Sequence, residues 1–317
     1  MKKPTIAICY DFDGTLSPGN MQEYGFFDGL TPSERRTFWT ESKKLARDNQ
    51  ADNILMYMKL MLDKAKEDKR LRTTRKAFKA YGKSIELYEG VESWFDRISN
   101  YGSERNMNIK HFIVSSGLQE MIEGTRISKY FERVFACSFF YDNNDAAIWP
   151  AQVVNFTTKT QCLFRINKGV RDITDDRLIN QYVAPEKRPI PFSRMIYIGD
   201  GETDIPCMKL VKEQGGYSIA VFDPSKTGKK KVSKRLKDEG RVNFSIPAEY
   251  SCGSKLEETI FRIIDKMASE YALTMVANGH KHSLKNKEAN DAKQESKTLD
   301  VGNIQTEKTV TKDEVDQ

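Results

Sequence analysis

Histidine is almost missing from this chain: His111, His280 and His282 are the whole supply in 317 residues. Imidazole-based catalysis therefore has little to draw on. His280-Lys-His282 stands at the edge of a stretch with almost no large apolar residues, where it reads as a chance pair and not a metal site. Cysteine is sparse as well. Cys9, Cys137, Cys162, Cys207 and Cys252 are odd in number, widely spaced and mostly set in apolar stretches, which argues against a disulfide framework and suits free core thiols. No CxxC pair suggests zinc. Apolar runs are short, and none approaches the roughly 18 residues that a membrane-spanning helix needs. The opening Met-Lys-Lys-Pro leads into a strand-like run ending in acidic residues, not into the apolar region and cleavage site of a signal peptide, so the expected location is cytoplasmic, with no membrane partner. Charge of one sign is also in short supply. A net charge of +6 over this length argues against an obligate nucleic-acid binder and suits small anionic substrates.

What is present suffices for a sizeable core. Thr5-Ile-Ala-Ile-Cys-Tyr10 is short and continuously apolar, as in a strand buried on both faces of a parallel sheet. Similar runs recur at His111–Val114, Met195–Ile198 and Ser218–Phe222, spaced widely enough for crossover helices, so the expected fold is an open α/β sheet. From about Asn20 to Glu89 the chain turns rich in Lys, Arg, Glu, Met and Leu and reads as helical throughout. Thr31-Pro-Ser-Glu34 combines a capping box with proline at the first helical position. Ile54–Leu62 supplies a second, largely buried helix, and Thr74 to Lys83 a third. Two β-rich runs around Asp142-Asn-Asn-Asp145 predict an antiparallel hairpin. Ser254-Lys-Leu-Glu257 opens a last helix that Asn278-Gly279 is expected to close. Beyond it, residues 279–317 read as a disordered tail.

Chemistry concentrates at the strand ends. Asp11-Phe-Asp-Gly-Thr-Leu16 follows the first strand directly, where ligands of open α/β sheets bind. Alternate residues share one side of an extended chain, so Asp11 and Asp13 can address one reacting centre while Gly14 permits a sharp turn. Ile198-Gly-Asp-Gly-Glu-Thr-Asp204 follows another strand, and its carboxylates Asp200 and Asp204 suit a hard cation such as Mg²⁺ close to a phosphate. The Val114-Ser-Ser-Gly117 turn offers the Ser115 and Ser116 hydroxyls and free backbone N–H groups to phosphate oxygens. Lys159, entering a predicted helix, would offset the clustered negative charge, with Lys168 as the rival.

These four pieces, in this order, resemble the haloacid dehalogenase-like superfamily over roughly residues 5 to 275. The resemblance implies a Rossmann-like core, residues 1–18 and 92–278, with residues 19–91 as a helical cap inserted after the first motif. It implies that Asp11 attacks phosphorus, that Asp13 protonates the leaving oxygen, and that Ser115 and Lys159 bind the phosphoryl group. Mg²⁺ would be held by Asp11, Asp200 and the Asp13 carbonyl, with Asp204 at or beside the ion. An aspartate at the second position separates the family's phosphatases from its dehalogenases. The chain looks most similar to the phosphoserine-phosphatase-like branch, yet the glutamate that holds the substrate amine there is replaced by Asn20, with Glu23 a loose substitute, so phosphoserine itself does not carry over.

The expected function is a Mg²⁺-dependent phosphatase acting on a small phosphorylated metabolite through an aspartyl-phosphate. A sugar-phosphate phosphomutase and a non-catalytic binding protein of the same fold are the alternatives. Two further features have plainer explanations. The lysines between Lys226 and Lys237, with no interleaved aromatics, read as a solvated helix face. Trp39, Trp94 and Trp149 read as packing residues.

Overall fold

The computed structural model describes residues 3–280. In chain order its elements are β1 (Thr5–Tyr10), α1 (Pro32–Asp48), α2 (Asn53–Glu67), α3 (Arg75–Gly82), α4 (Val91–Glu104), β2 (Asn108–Leu118) and α5 (Gln119–Gly124). There follow β3 (Phe131–Tyr141), β4 (Ala147–Gln152), α6 (Phe156–Lys168), α7 (Asp176–Asn180), β5 (Met195–Gly199), α8 (Ile205–Glu213), β6 (Tyr217–Phe222), α9 (Thr227–Asp238) and β7 (Phe244–Pro247). The seven strands form one sheet in the order β4-β3-β2-β1-β5-β6-β7, parallel except for the β3–β4 hairpin. Residues up to Met267 form one compact unit and the stretch from Ala268 a second.

The uninterrupted apolar strands are uninterrupted because both faces of the sheet are covered. Ile6 to Tyr10 and Met195 to Ile198 have no exposed surface. Helices α6 and α8 pack Cys162, Leu163, Ile166, Cys207, Met208 and Val211 against Cys9, Val114, Tyr197 and Ala220. Cys9, Cys162 and Cys207 are buried in this way, Cys137 is buried on β3, Cys252 is exposed, and none is paired. His111, on β2, is buried between Tyr10 and Ser99, whose hydroxyls lie 3.0 and 3.2 Å from its ring nitrogens.

Between β1 and β2 the chain is less helical than its composition suggests. The stretch before α1 consists of two single 3₁₀ turns, and irregular backbone separates α2 from α3. Helix α1 starts as expected: Thr31 accepts from the Glu34 N–H at 3.3 Å, and Glu34 returns a bond to the Thr31 N–H at 2.9 Å. The Ser115-Ser-Gly117 segment is not a turn. It continues β2 as far as Leu118, with its pairing to β3 shifted out of register between Val114 and Leu118, so an irregular strand takes the place of the loop. The hairpin closes through Asp142, whose Oδ1 accepts from the Asn144 and Ala146 N–H groups. Trp94 packs with no exposed surface, whereas Trp149 is 67% exposed. From β4, which is the edge strand of the sheet among the described residues, it pairs with Phe140.

Residues 255–267 are helical. At their start Glu257 departs from a full capping box: its N–H donates to Ser254, but its carboxylate takes the Gly253 N–H. In the second unit residues 268–280 are helical, and Asn278-Gly279 lies within the helix because Gly279 does not adopt the left-handed conformation of a terminating glycine. The rest of the expected tail, and His282, lie outside the described residues.

Candidate active site

β1 is the centre of the sheet, with β2 on one side and β5 on the other. The chain leaves β1 toward one flank and returns to the other flank later, so the carboxyl end of β1 is where neighbouring loops diverge and a crevice opens. Asp11 sits there, its N–H donating 2.9 Å to the Ile198 carbonyl of β5. Asp200 follows β5 directly, and Ser115 lies toward the end of β2. Asp11, Asp13, Ser115, Ser116, Lys159 and Asp200 all line one cavity of about 770 Å³. Gly14 makes the close approach possible. Its φ is +75°, and a Cβ there would stand 2.3 Å from an Asp200 carboxylate oxygen.

Carboxylate oxygens of Asp11, Asp200 and Asp204 lie within 4.8 Å of one another, all three side chains buried. Two ammonium groups answer them. Lys159 has no exposed surface and meets Asp11 at 3.0 Å and Asp204 at 2.7 Å. Lys229 meets Asp200 at 2.6 Å. Both oxygens of Asp204 are engaged, one by Lys159 and the Tyr197 hydroxyl, the other by the Gly201 N–H, so Asp204 holds Lys159 in place. With Asp13, four carboxylates face two ammonium groups. Negative charge is in surplus in a buried place.

That surplus shows in the titration of the acids. Burial first, and then the Asp204 charge, push Asp11 up to about 7 in the metal-free protein, against the pull of Lys159. Asp13 is held well above the ordinary carboxylate range by burial and by Asp11. Asp200 is raised by burial, with Lys229 working the other way. Burial works against a charged Lys159, yet Asp11 and Asp204 hold it above the ordinary lysine value. Hard carboxylate oxygens this close, under-compensated and protonating for want of positive charge, fit a divalent cation such as Mg²⁺.

The remaining groups are ready for an anion. The Ser115 hydroxyl accepts from the Gly117 N–H at 3.0 Å, which leaves its own proton free to donate. Ser116 lines the same cavity and its hydroxyl is buried without a partner, while its carbonyl takes the Tyr57 hydroxyl from α2 at 2.8 Å. Asp13 is aimed by the Met21 N–H, 2.9 Å from its Oδ1. Lys168 is elsewhere, donating to the Ile179 and Gln181 carbonyls. His111 takes no part, and burial lowers it to about 3.

Two lysines of the run at Lys226–Lys237 reach the site from a face that is still partly solvated. Lys226 and Lys229 both line the cavity, Lys226 reaching the Pro18 carbonyl at 2.7 Å. Their sequence signal is weak, because a charge run looks the same whether it faces water or a site. Trp39 also lines the cavity, its indole N–H donating 2.9 Å to Glu23, which Asn20 contacts as well.

Fold and site together define a Rossmann-like α/β protein whose ligand cavity opens at the switch point of its sheet. The chain belongs to the haloacid dehalogenase-like hydrolase family, whose sequence profile matches residues 8–209. An uncharacterized protein of Borreliella burgdorferi is 31% identical over 285 residues, covering 82% of this chain and 96% of its own. Among solved structures, an HAD-family hydrolase from Salmonella enterica serovar Typhi matches with a TM-score of 0.51 at 17% identity, over 81% of this chain and 70% of that one. A probable phosphoserine phosphatase from Vibrio cholerae matches with a TM-score of 0.51 at 12% identity, over 85% and 67%. Similarity at that level is similarity of fold.

Proposed function

We propose that this protein is a Mg²⁺-dependent phosphatase that hydrolyses a small phosphomonoester through an aspartyl-phosphate on Asp11. One observation carries the proposal: Asp11, a second carboxyl with a raised pKa two residues on, a buried lysine and two serines line one cavity.

In the first step an Asp11 carboxylate oxygen attacks phosphorus and the bond to the ester oxygen breaks. Asp13, protonated because burial and Asp11 raise its pKa, gives its proton to the departing oxygen. Lys159 and the Ser115 and Ser116 hydroxyls hold the phosphoryl oxygens as charge redistributes among them. In the second step water attacks the acyl phosphate, Asp13 takes its proton back, and Asp11 and inorganic phosphate are released. Mg²⁺, held by Asp11, Asp200 and the Asp13 carbonyl, would neutralise the phosphoryl charge and keep Asp11 ionised. Residues 19–91 act as the cap over this chemistry, contributing Glu23, Trp39 and Tyr57 to the cavity lining.

Hydrolysis of p-nitrophenyl phosphate tests the proposal. It should require Mg²⁺, stop in EDTA, and fall by at least about 10³-fold in Asp11→Asn. Wild-type turnover in Asp11→Asn, or in EDTA, would refute it.

A further inference from the structure

Helix α9 opens against the usual electrostatics. The positive end of a helix macrodipole favours acidic side chains, yet the first turn here has none and carries Lys229 and Lys230, with Lys231 directly after them. Its N-cap, Lys226, makes no side-chain capping bond. A locally unfavourable choice of this kind calls for a compensating contact. Lys229 has one, in the 2.6 Å bond to Asp200, a carboxylate that is only 7% exposed.

The two lysines of the acidic cluster differ in freedom. Lys159 is sealed, with no exposed surface and two carboxylates on its ammonium. The Lys229 side chain is 47% exposed and contacts Asp200 alone among the four acids. It reaches the cluster from the solvent side, on a flexible four-carbon stem that can withdraw without disturbing the core. Its ammonium occupies one oxygen of a carboxylate that a divalent cation needs.

We propose that Lys229 is a built-in competitor for the metal: it neutralises Asp200 in the metal-free protein and must be displaced when a divalent cation binds. The proposal rests on Asp11 and Asp200 being metal ligands. Lys229 then acts as a positioning residue. It keeps Asp200 aimed at the cavity and its buried charge compensated while the site lacks an ion, and in doing so it weakens the apparent affinity for Mg²⁺. Two cations contending for one carboxylate are coupled, and the coupling is reciprocal.

Isothermal titration of MgCl₂ into metal-stripped protein tests this without recourse to turnover. Lys229→Gln should bind Mg²⁺ roughly 5-fold more tightly or better, the lower end of the range for coupled sites. Lys229→Met, which cannot donate to Asp200 at all, should shift the same way. Lys230→Gln removes the same formal charge from an exposed neighbour and should leave the affinity unchanged. Circular dichroism checks that each variant is folded. Affinity that is unaltered or weakened in both folded Lys229 variants overturns the proposal, and so does equal tightening in Lys230→Gln, which would make the effect one of distant charge. Wild-type protein that binds no Mg²⁺ would overturn the metal site itself, and this proposal with it.

Discussion

Lys159 has no exposed surface, and two carboxylates share its ammonium. Truncating it leaves Asp11 and Asp204 as neighbouring buried anions, which is costlier than the loss of an exposed pair. Lys159→Met should lower the stability of the metal-free protein by about 3–5 kcal/mol in urea unfolding. Mg²⁺ should restore part of this, and an unchanged midpoint would contradict the role given to Lys159. Asp13 makes a second expectation at this scale. A group that must donate a proton in the first step loses activity as it ionises, so kcat/KM should fall on the alkaline side through the raised pKa of Asp13. Asp13→Asn should be slower by about 10²–10⁴-fold and should lack that alkaline limb. Persistence of the limb would assign it to another group. The acids were legible in the sequence because they end apolar strands. Lys159 and Lys168 were not separable there, since both lie on the same helix and only its packing decides which ammonium points to β1. Lys229 was hidden in a charge run.

Two helix caps tie α2 to the element that carries Lys159. Asn155 caps α6, accepting from the Thr157 and Thr158 N–H groups at 3.0 Å each. Asp52 caps α2, accepting from Ile54 and Leu55. The Asn155 side-chain amide donates 2.8 Å to Asp52, so one short bridge fixes both helix starts. Asn155→Ala should cost about 1–2 kcal/mol, the scale of a lost N-cap. Combined with Asp52→Ala the losses should be less than additive, because either change alone breaks the bridge. Strict additivity in urea melts would argue against the coupling. Elements of this kind announce themselves in sequence through local chemistry, as Thr31-Pro-Ser-Glu34 does. β7 did not, being four residues long with no alternating pattern. The continuation of β2 through Ser115-Ser-Gly117 was equally hard to foresee, because a Ser-Ser-Gly segment suggests a turn and the pairing with β3 that frames it, at Val114 and Leu118, is not local in sequence.

At the scale of the whole molecule, sheet order makes the site. The apolar strands were evident from sequence, but the placement of β1 between β2 and β5 was not, and that placement brings segments separated by nearly two hundred residues to one cavity. Concentrating acids there has a cost that depends on pH. Asp11 titrates near 7 in the folded metal-free protein against its ordinary 3.8, so the folded chain keeps a proton that the unfolded chain has lost. Its contribution to stability is present below the ordinary value and is lost as pH rises through about 7. In the proposed reading Mg²⁺ binds the ionised form, so the rise in Tm on adding Mg²⁺ should be larger at about pH 8 than at about pH 5. An equal rise at both would show that the ion does not bind these carboxylates. The central claim is that Asp11 carries the phosphoryl group in turnover. Acid quenching of the protein during hydrolysis of p-nitrophenyl phosphate, followed by peptide mass spectrometry, tests it most directly. The account predicts one phosphoryl group on the peptide that contains Asp11, absent in Asp11→Asn; a phosphoryl group on any other residue, or turnover with none trapped, would contradict it.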